Sequence, residues 1–297
     1  MMRLMAALAV LALVAPGIAD AQQLANRLFG AHDTAAPGPA RAIGSYARGC
    51  GQGFVQLPET GPTWQAMRLS RNRNWGHPEM IDYLVWLSGE AARLPGWRGL
   101  YIGDISQPRG GPMTSGHSSH QIGLDADIWF LPAARLTLSR RDRETISSVS
   151  VRTADQRGLT SHWTAQHARL LQIAASDPRV DRIFVAAAVK IELCRTATPA
   201  DRAWLQRIRP FSGHNYHFHV RLRCPGGSPH CQTQAPTVAE LSQGGDGCDE
   251  TLEWWVTEFL EPPPRRPRDP SVPRPRHPRE FTLADLPAQC APIATTR

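Results

Sequence analysis

Six cysteines constrain this chain more than any other feature of its sequence: Cys50, Cys194, Cys224, Cys231, Cys248 and Cys290. An even number in an exported protein points to three disulfides, and so to a fold stapled across long stretches of chain. The competing use, zinc–thiolate sites, favours Cys-x-x-Cys pairs, and none is present. Cys224 and Cys231 are close enough to close a small loop. The other pairings are not decided by spacing. Export itself is read from the N-terminus. Arg3 precedes the apolar run Leu4 to Ala15, Pro16 and Gly17 break it, and Ala19-Asp20-Ala21 offers small residues for cleavage. Residues 1–21 therefore read as a signal peptide. The run falls short of the roughly 20 residues that a membrane span requires. No later segment could span a bilayer, and no lipid-accepting cysteine follows the run.

The formal charge is +7, carried almost entirely by arginine, since Lys190 is the only lysine. A basic exported chain is drawn to anionic wall or membrane polymers. No motif supports nucleic acid as a partner. Residues 22–260 are assigned to one main domain and 261–297 to a Pro/Arg-rich tail, extended and solvated over Glu261 to Arg279, which Cys290 ties back to the body. The stretch from residue 22 to about Ala42, rich in Ala, Gly and Pro, reads as a poorly structured leader.

Between these ends the periodicities are mixed. Pro78 to Ala92 and His167 to Ala175 have helical spacing. Gly99 to Asp104 resembles a short buried strand, and Gln107 to Gly116 a loop. Asp181 onward reads as a strand running into a helix that carries Lys190. Leu124 to Phe130 alternates, with Asp125, Asp127 and Trp129 on one side. His217 to Arg223 alternates as well, with His217, His219 and Arg221 on one face. The absence of a regular βαβ rhythm predicts an α+β fold: a central antiparallel sheet with flanking helices and a metal site on the sheet face.

That site is predicted from two segments, Gly116-His117-Ser-Ser-His120-Gln-Ile-Gly123-Leu-Asp125-Ala-Asp127 and His214-Asn-Tyr-His217-Phe-His219. If the two strands are neighbours, His120, Asp127 and His219 converge on one ion. Two imidazoles and a carboxylate suit Zn2+ with a position left for water, the mark of a catalytic site. Such an ion lowers the pKa of water from ~15.7 to ~7. His-Glu-x-x-His is absent, so the helix-borne zinc arrangement does not apply. Asp125, on the face of Asp127, is a candidate to orient a ligand imidazole.

The segments SGHSSHQIGLDADIWF and RPFSGHNYHFHVRLRCP resemble those of the penicillin-insensitive murein endopeptidases, a family within the lysostaphin, D-Ala-D-Ala metallopeptidase and hedgehog group. RNRNWGHPEM, DPRVDRIFV and the cysteines extend the resemblance over most of the mature chain. It implies zinc held by His120, Asp127 and His219, with His217 and His214 acting beside it. It implies the disulfides Cys50–Cys290, Cys194–Cys248 and Cys224–Cys231. It also implies a periplasmic enzyme that hydrolyses D-Ala–meso-diaminopimelate cross-links of peptidoglycan. Arg68 and His77 become candidates for binding substrate carboxylates. Some members hold a second zinc through the residue matching His117 and an Asp-x-x-His. Here the matching stretch, Ala154-Asp-Gln-Arg157, lacks both ligands, which leaves His117 as a second-site residue without partners and leaves open the dimer that such a zinc could bridge. Two alternatives remain at this level: a D,D-carboxypeptidase or dipeptidase of the same fold, and a non-catalytic zinc-containing wall-binding protein.

Overall fold

The structure is a computed structural model that describes residues 23–249, 251–264, 269 and 271–296. The signal-peptide assignment lies outside the described residues. Among them, no helix is long and apolar enough to cross a membrane.

The chain opens with a short helix, α1 (Ala25–Phe29), and a hairpin of β1 (Arg41–Ser45) and β2 (Arg48–Gln52). Next come β3 (Val55–Gln56), β4 (Trp64–Ala66), β5 (Trp75–Gly76), α2 (Pro78–Ala91), β6 (Leu100–Ile102) and β7 (Asp125–Trp129). The second half contributes α3 (Arg140–Thr145), α4 (Ala165–Ser176), β8 (Val180–Val185), α5 (Ala187–Thr196), β9 (Ile208–Pro210) and β10 (His217–Leu222). After two single helical turns and the Pro/Arg segment, the chain closes with α6 (Cys290–Thr295).

One six-stranded sheet organises the molecule, in the order β4-β6-β7-β10-β8-β9. Its four inner strands pair antiparallel, as expected, but both edges pair parallel, β4 with β6 and β8 with β9. The sheet is therefore mixed. The physical reason is the connections: parallel neighbours need a crossover, and the chain supplies one containing α2 between β4 and β6 and one containing α5 between β8 and β9.

The inner strands sort their side chains by face. Ala126, Ile128, Phe218, Val220, Leu222, Ile183 and Val185 point into the main core, together with residues of α2 and α4. Helix α2 starts at Pro78, whose missing N–H costs nothing at a first turn, and His77 caps it by accepting from the Glu79 amide at 3.3 Å. Its buried Met80, Ile81, Tyr83, Leu84, Leu87 and Ala91 follow helical spacing. Helix α4 is capped by Thr164 with His167, and the His167 Nε2 also contacts the Phe130 carbonyl at 2.7 Å just past β7. His167 is thus structural, and it joins the helix layer to the strand that bears the site.

The leader assignment is corrected. Ala25 and Phe29 of α1 are fully buried in a second core with Ile43, Cys50, Phe281, Leu286, Cys290 and Ile293. The segment is ordered because the chain's other end covers it, which local composition cannot reveal. The structure contains the disulfides Cys50–Cys290, Cys194–Cys248 and Cys224–Cys231. The loop at 107–116 is irregular, buried over 107–113 and exposed at 114–116, and the Gln107 side-chain amide donates to the carbonyls of Gly110, Gly111 and Pro112.

Candidate metal centre and cleft

The face of the sheet opposite the core carries Asp125, Asp127 and Trp129 of β7 and His217, His219 and Arg221 of β10. Strand register sets them in pairs: His219 lies across from Asp127, His217 from Trp129, and Arg221 from Asp125. Residues directly opposite on an antiparallel pair have Cβ atoms within ~5.5 Å, so the pairing itself brings an imidazole onto a carboxylate. His219 Nδ1 is 3.3 Å from Asp127 Oδ1, and its Nε2 is 3.0 Å from Asp125 Oδ1.

His120 enters from the loop before β7. Its backbone is left-handed, φ 66°, a conformation that costs a non-glycine residue about 1–2 kcal/mol. Three contacts hold it there. Its amide donates to Asp125 Oδ2 at 2.9 Å, its carbonyl accepts from Ser106 Oγ at 2.8 Å, and its Nδ1 meets the Ile105 carbonyl at 2.7 Å. Because a carbonyl can only accept, Nδ1 donates to it, and Nε2 faces Asp127 Oδ1 at 3.4 Å. Gly123, next along, has φ 68°, and a Cβ there would lie 2.6 Å from Phe54 and 2.8 Å from the His77 amide. Only glycine fits between this loop and its packing partners.

His117, His120 and Asp127 each offer an atom within 4.8 Å of the others. His117 Nε2 is 3.6 Å from Asp127 Oδ2, and the His117 and His120 rings are 4.1 Å apart. The His219 ring is 4.5 Å from His120. His217 Nε2 stands 3.5 Å from Asp127 Oδ1, and the His214 ring is 5.2 Å from His217 and 5.7 Å from His219. The donor set fits a metal ion on a physical ground. His120 Nε2 and Asp127 Oδ1 are buried without a hydrogen-bond partner among the described residues, with His117 beside them, whereas His219 turns its Nε2 to Asp125 Oδ1 at 3.0 Å and its Nδ1 toward Asp127. Buried polar atoms are rarely left unpartnered, and a cation supplies what the His120 nitrogen and the Asp127 oxygen lack.

Charge follows from the same packing. Burial alone would raise the Asp127 carboxyl, but His217, His120 and His117 hold it well below the usual range. Asp125 is also held down against burial, chiefly by Arg221 and then by His219. Arg221 grips it in a fork, Nε to Oδ1 at 2.7 Å and Nη2 to Oδ2 at 3.0 Å. Burial pushes His217 and His214 down toward the neutral imidazole.

A cleft of about 370 Å³ opens over this centre, walled by Arg68, Arg71, Asp104, Trp129, Ser148 and Tyr216, with His117, Asp127 and His217 at its floor. The candidate metal centre thus lies at the base of an open cleft on a disulfide-stapled α+β scaffold. A family model described as penicillin-insensitive murein endopeptidase matches residues 42–295. The chain belongs to the penicillin-insensitive murein endopeptidase family. It is 44% identical over 226 residues to a protein of that name from Haemophilus influenzae, covering 76% of this chain and 75% of the relative. It is 39% identical to one from Klebsiella pneumoniae (76% and 78% covered) and 37% identical to one from Salmonella heidelberg (86% and 86% covered).

Not every predicted residue of this murein endopeptidase family member reaches the cleft. His77 does not. It is buried at the start of α2 as that helix's cap, and burial pushes its imidazole down. The substrate-binding expectation for it is withdrawn, because its ring is used within the fold. Arg68 lines the cleft, but both terminal nitrogens of its guanidinium are engaged. They donate to the carbonyls of Arg143, Glu144 and Ile146 at the end of α3, and the group lies 5.3 Å over the Trp129 ring. Asp155 and His162 are exposed and line no part of the cleft, so among the described residues His117 gains no partner from that stretch.

Its partner is instead Asp104, which the sequence did not bring forward. This carboxylate is 3% exposed just past β6, and its Oδ2 receives His117 Nε2 (3.0 Å), Arg73 Nη1 (2.8 Å) and Arg71 Nη1 (3.0 Å). Burial would raise its carboxyl, but His117, then Arg71 and Arg73, hold it well below the usual range. The one available signal was an aspartate directly after a short apolar strand beside the loop of the site.

Proposed function

We propose that this protein is an exported, zinc-dependent endopeptidase that hydrolyses D-Ala–meso-diaminopimelate cross-links of peptidoglycan in the periplasm. One observation carries the proposal. His217 stands 3.5 Å from Asp127 on the cleft side of the centre, while the imidazoles of His120 and His219 are buried and that of His117 is engaged by Asp104. A purely structural metal site has no use for an additional, accessible imidazole. A hydrolase needs one as a proton carrier.

His120, Asp127 and His219 would hold the ion, with His117 beside them as a candidate for a second. Zinc bound there supplies Lewis acidity toward a carbonyl oxygen and makes water more acidic. The chain's own residues do the rest. His217 accepts the proton of the attacking water at Nε2 and returns it to the leaving amine. His214, half-buried with its ring 5.2 Å from that of His217, packs against the proton carrier and helps hold it in position. Asp125 keeps His219 and the His120 backbone in place. Trp129 and Tyr216 flank the strand ends and give the peptide stem an aromatic wall. Three disulfides support an oxidising compartment.

The test is incubation of the purified mature protein with cross-linked muropeptide dimers and, separately, with free stem peptides, with and without a chelator. Metal-dependent release of monomers supports the endopeptidase. Trimming of free stems alone would assign a carboxypeptidase, and no cleavage by fully zinc-loaded protein would leave only a wall-binding role. A His217→Ala variant should retain zinc and lose at least about 100-fold in turnover.

A further inference from the structure

The chain between β4 and β5 sets an exposed arginine, Arg71, on the cleft wall. A 3-10 turn, Leu69–Arg71, is bracketed by two non-glycine residues in the left-handed region, Arg68 (φ 59°) and Asn72 (φ 49°). Such conformations persist only where their surroundings impose them. Arg68 is held by the three carbonyls at the end of α3. Asn72 is held from both sides: its Oδ1 accepts from the Trp75 indole at 2.8 Å, and its Nδ2 donates to the Asp33 carbonyl at 3.3 Å. Arg71, between them, faces the cleft.

Arg71 has one protein partner among the described residues, Asp104, and its side chain is 46% exposed. Asp104 does not need it, because the buried Arg73 already compensates that carboxylate at 2.8 Å. Two guanidiniums on one carboxylate leave a positive charge in excess, and the exposed one lies on the cleft wall. Arg68, the other cation of that wall, has its terminal nitrogens occupied. The remaining N–H groups of Arg71 thus form a free fork, the geometry that receives a carboxylate. Position adds to this. Asp104 Oδ2 is 3.0 Å from both Arg71 and His117, and His117 is 3.6 Å from Asp127, so the fork sits three contacts from Asp127.

We infer that Arg71 receives the substrate carboxylate that flanks the scissile amide. The inference rests on the endopeptidase proposal above. In meso-diaminopimelate each amine sits on a carbon that also bears a carboxyl group. The bond to D-Ala therefore has a free carboxylate one carbon from its nitrogen. Arg71 fixes that group while the amide lies over Asp127 and His217, and so selects cross-links that carry the charge.

The experiment crosses a variant with a substrate change. Wild type and Arg71→Gln are assayed on a native muropeptide dimer and on one whose flanking carboxyl is a carboxamide. Charged hydrogen bonds contribute ~1.5–3 kcal/mol, so kcat/KM should fall about 10- to 100-fold for Arg71→Gln on the native dimer, mostly through KM. Wild type should lose a similar factor on the carboxamide, where the variant loses nothing further. An equal loss by the variant on both substrates, or no loss on either, overturns the role. Thermal melting should be unchanged, because Asp104 keeps Arg73 and His117. In parallel, calorimetry measures binding of the cleaved monomer, with its free amine and carboxylate, to both proteins. Weaker binding by Arg71→Gln supports the role, and equal binding refutes it. If wild type cuts no dimer, the endopeptidase proposal fails, and this titration still decides Arg71.

Discussion

Arg279, close to the C-terminus, donates from Nη2 to the carbonyl of Gly116 at 2.7 Å and so ties the end of the chain to the loop that carries His117. His277 adds a second tie, its Nε2 3.1 Å from Ser118 Oγ. From the inside, Arg73 holds the same loop through the Ser115 carbonyl and hydroxyl at 3.1 and 3.0 Å. The loop is thus clamped between a buried arginine and the end of the tail.

The clamp makes a prediction about order rather than stability. Both tail contacts are exposed, and exposed hydrogen bonds contribute at most ~1 kcal/mol each. An Arg279→Ala, His277→Ala double variant should therefore melt within a few degrees of wild type. Its loop at 114–119 should nevertheless exchange amide hydrogens and be cleaved by proteases at least about threefold faster. Unchanged exchange there would mean that the loop is held from the inside alone.

Asp125 supports the centre from below, and its replacement should show in two measurements. Asp125→Asn keeps the shape but leaves Arg221 buried without its counter-charge, at a cost of about 3–5 kcal/mol. It also weakens the hold on the His120 amide and on His219. Loss of such supporting carboxylates typically lowers metal affinity 10- to 100-fold. Competition with a chelator reads the affinity, and urea unfolding of the metal-free protein reads the stability. A variant that binds zinc as tightly as wild type would remove Asp125 from the support of the centre.

What could be read from the sequence follows the range of the interactions involved. The alternation in 124–130 and 217–223 reports which side chains share a face, and that set His219 and Asp127 on one surface before any neighbour was known. That the strands pair, with His219 opposite Asp127, is a long-range fact that alternation cannot encode. Asp104 and Arg71 were passed over for the same reason: a lone charged residue after a short strand or in a turn has no period to expose it. His77 was misread because a histidine in a distinctive segment serves equally well as a helix cap. Residues 22–42 were misread because Ala25 and Phe29 find their apolar partners in α6, at the other end of the chain.

The bond between those ends is itself testable. Cys50 and Cys290 are separated by 240 residues, and closing so long a loop removes much entropy from the unfolded chain. Paired Cys50→Ser and Cys290→Ser substitutions should cost about 2–5 kcal/mol of stability, visible as a lower urea midpoint. The second core of α1, Phe281 and α6 should open first, seen as early hydrogen exchange at 25–29 and 290–295. Uniform loss of protection across the main sheet instead would show that the two cores unfold as one.

Lys190 supplies a pH dependence whose sign can be worked out. It is fully buried, and its Nζ donates to the carbonyls of Leu205 and Asp246 at 2.7 and 2.8 Å. Burial, and then the charge of Arg209, push its pKa down to about 7, against ~10.4 in an unfolded chain. Between those values the unfolded protein binds a proton that the folded protein does not. Stability must therefore rise with pH across that window, by up to ~1.4 kcal/mol per unit. Above about 10 the buried Tyr46, whose hydroxyl burial pushes well up, acts in the opposite sense, so the clean interval is about pH 7 to 9.5. Unfolding of the metal-free protein should become harder over that interval by about 2–3 kcal/mol. Lys190→Met should abolish the slope whatever its effect on absolute stability, which includes the cost of two carbonyls left without a donor. A slope that survives the substitution would assign the titration to another group.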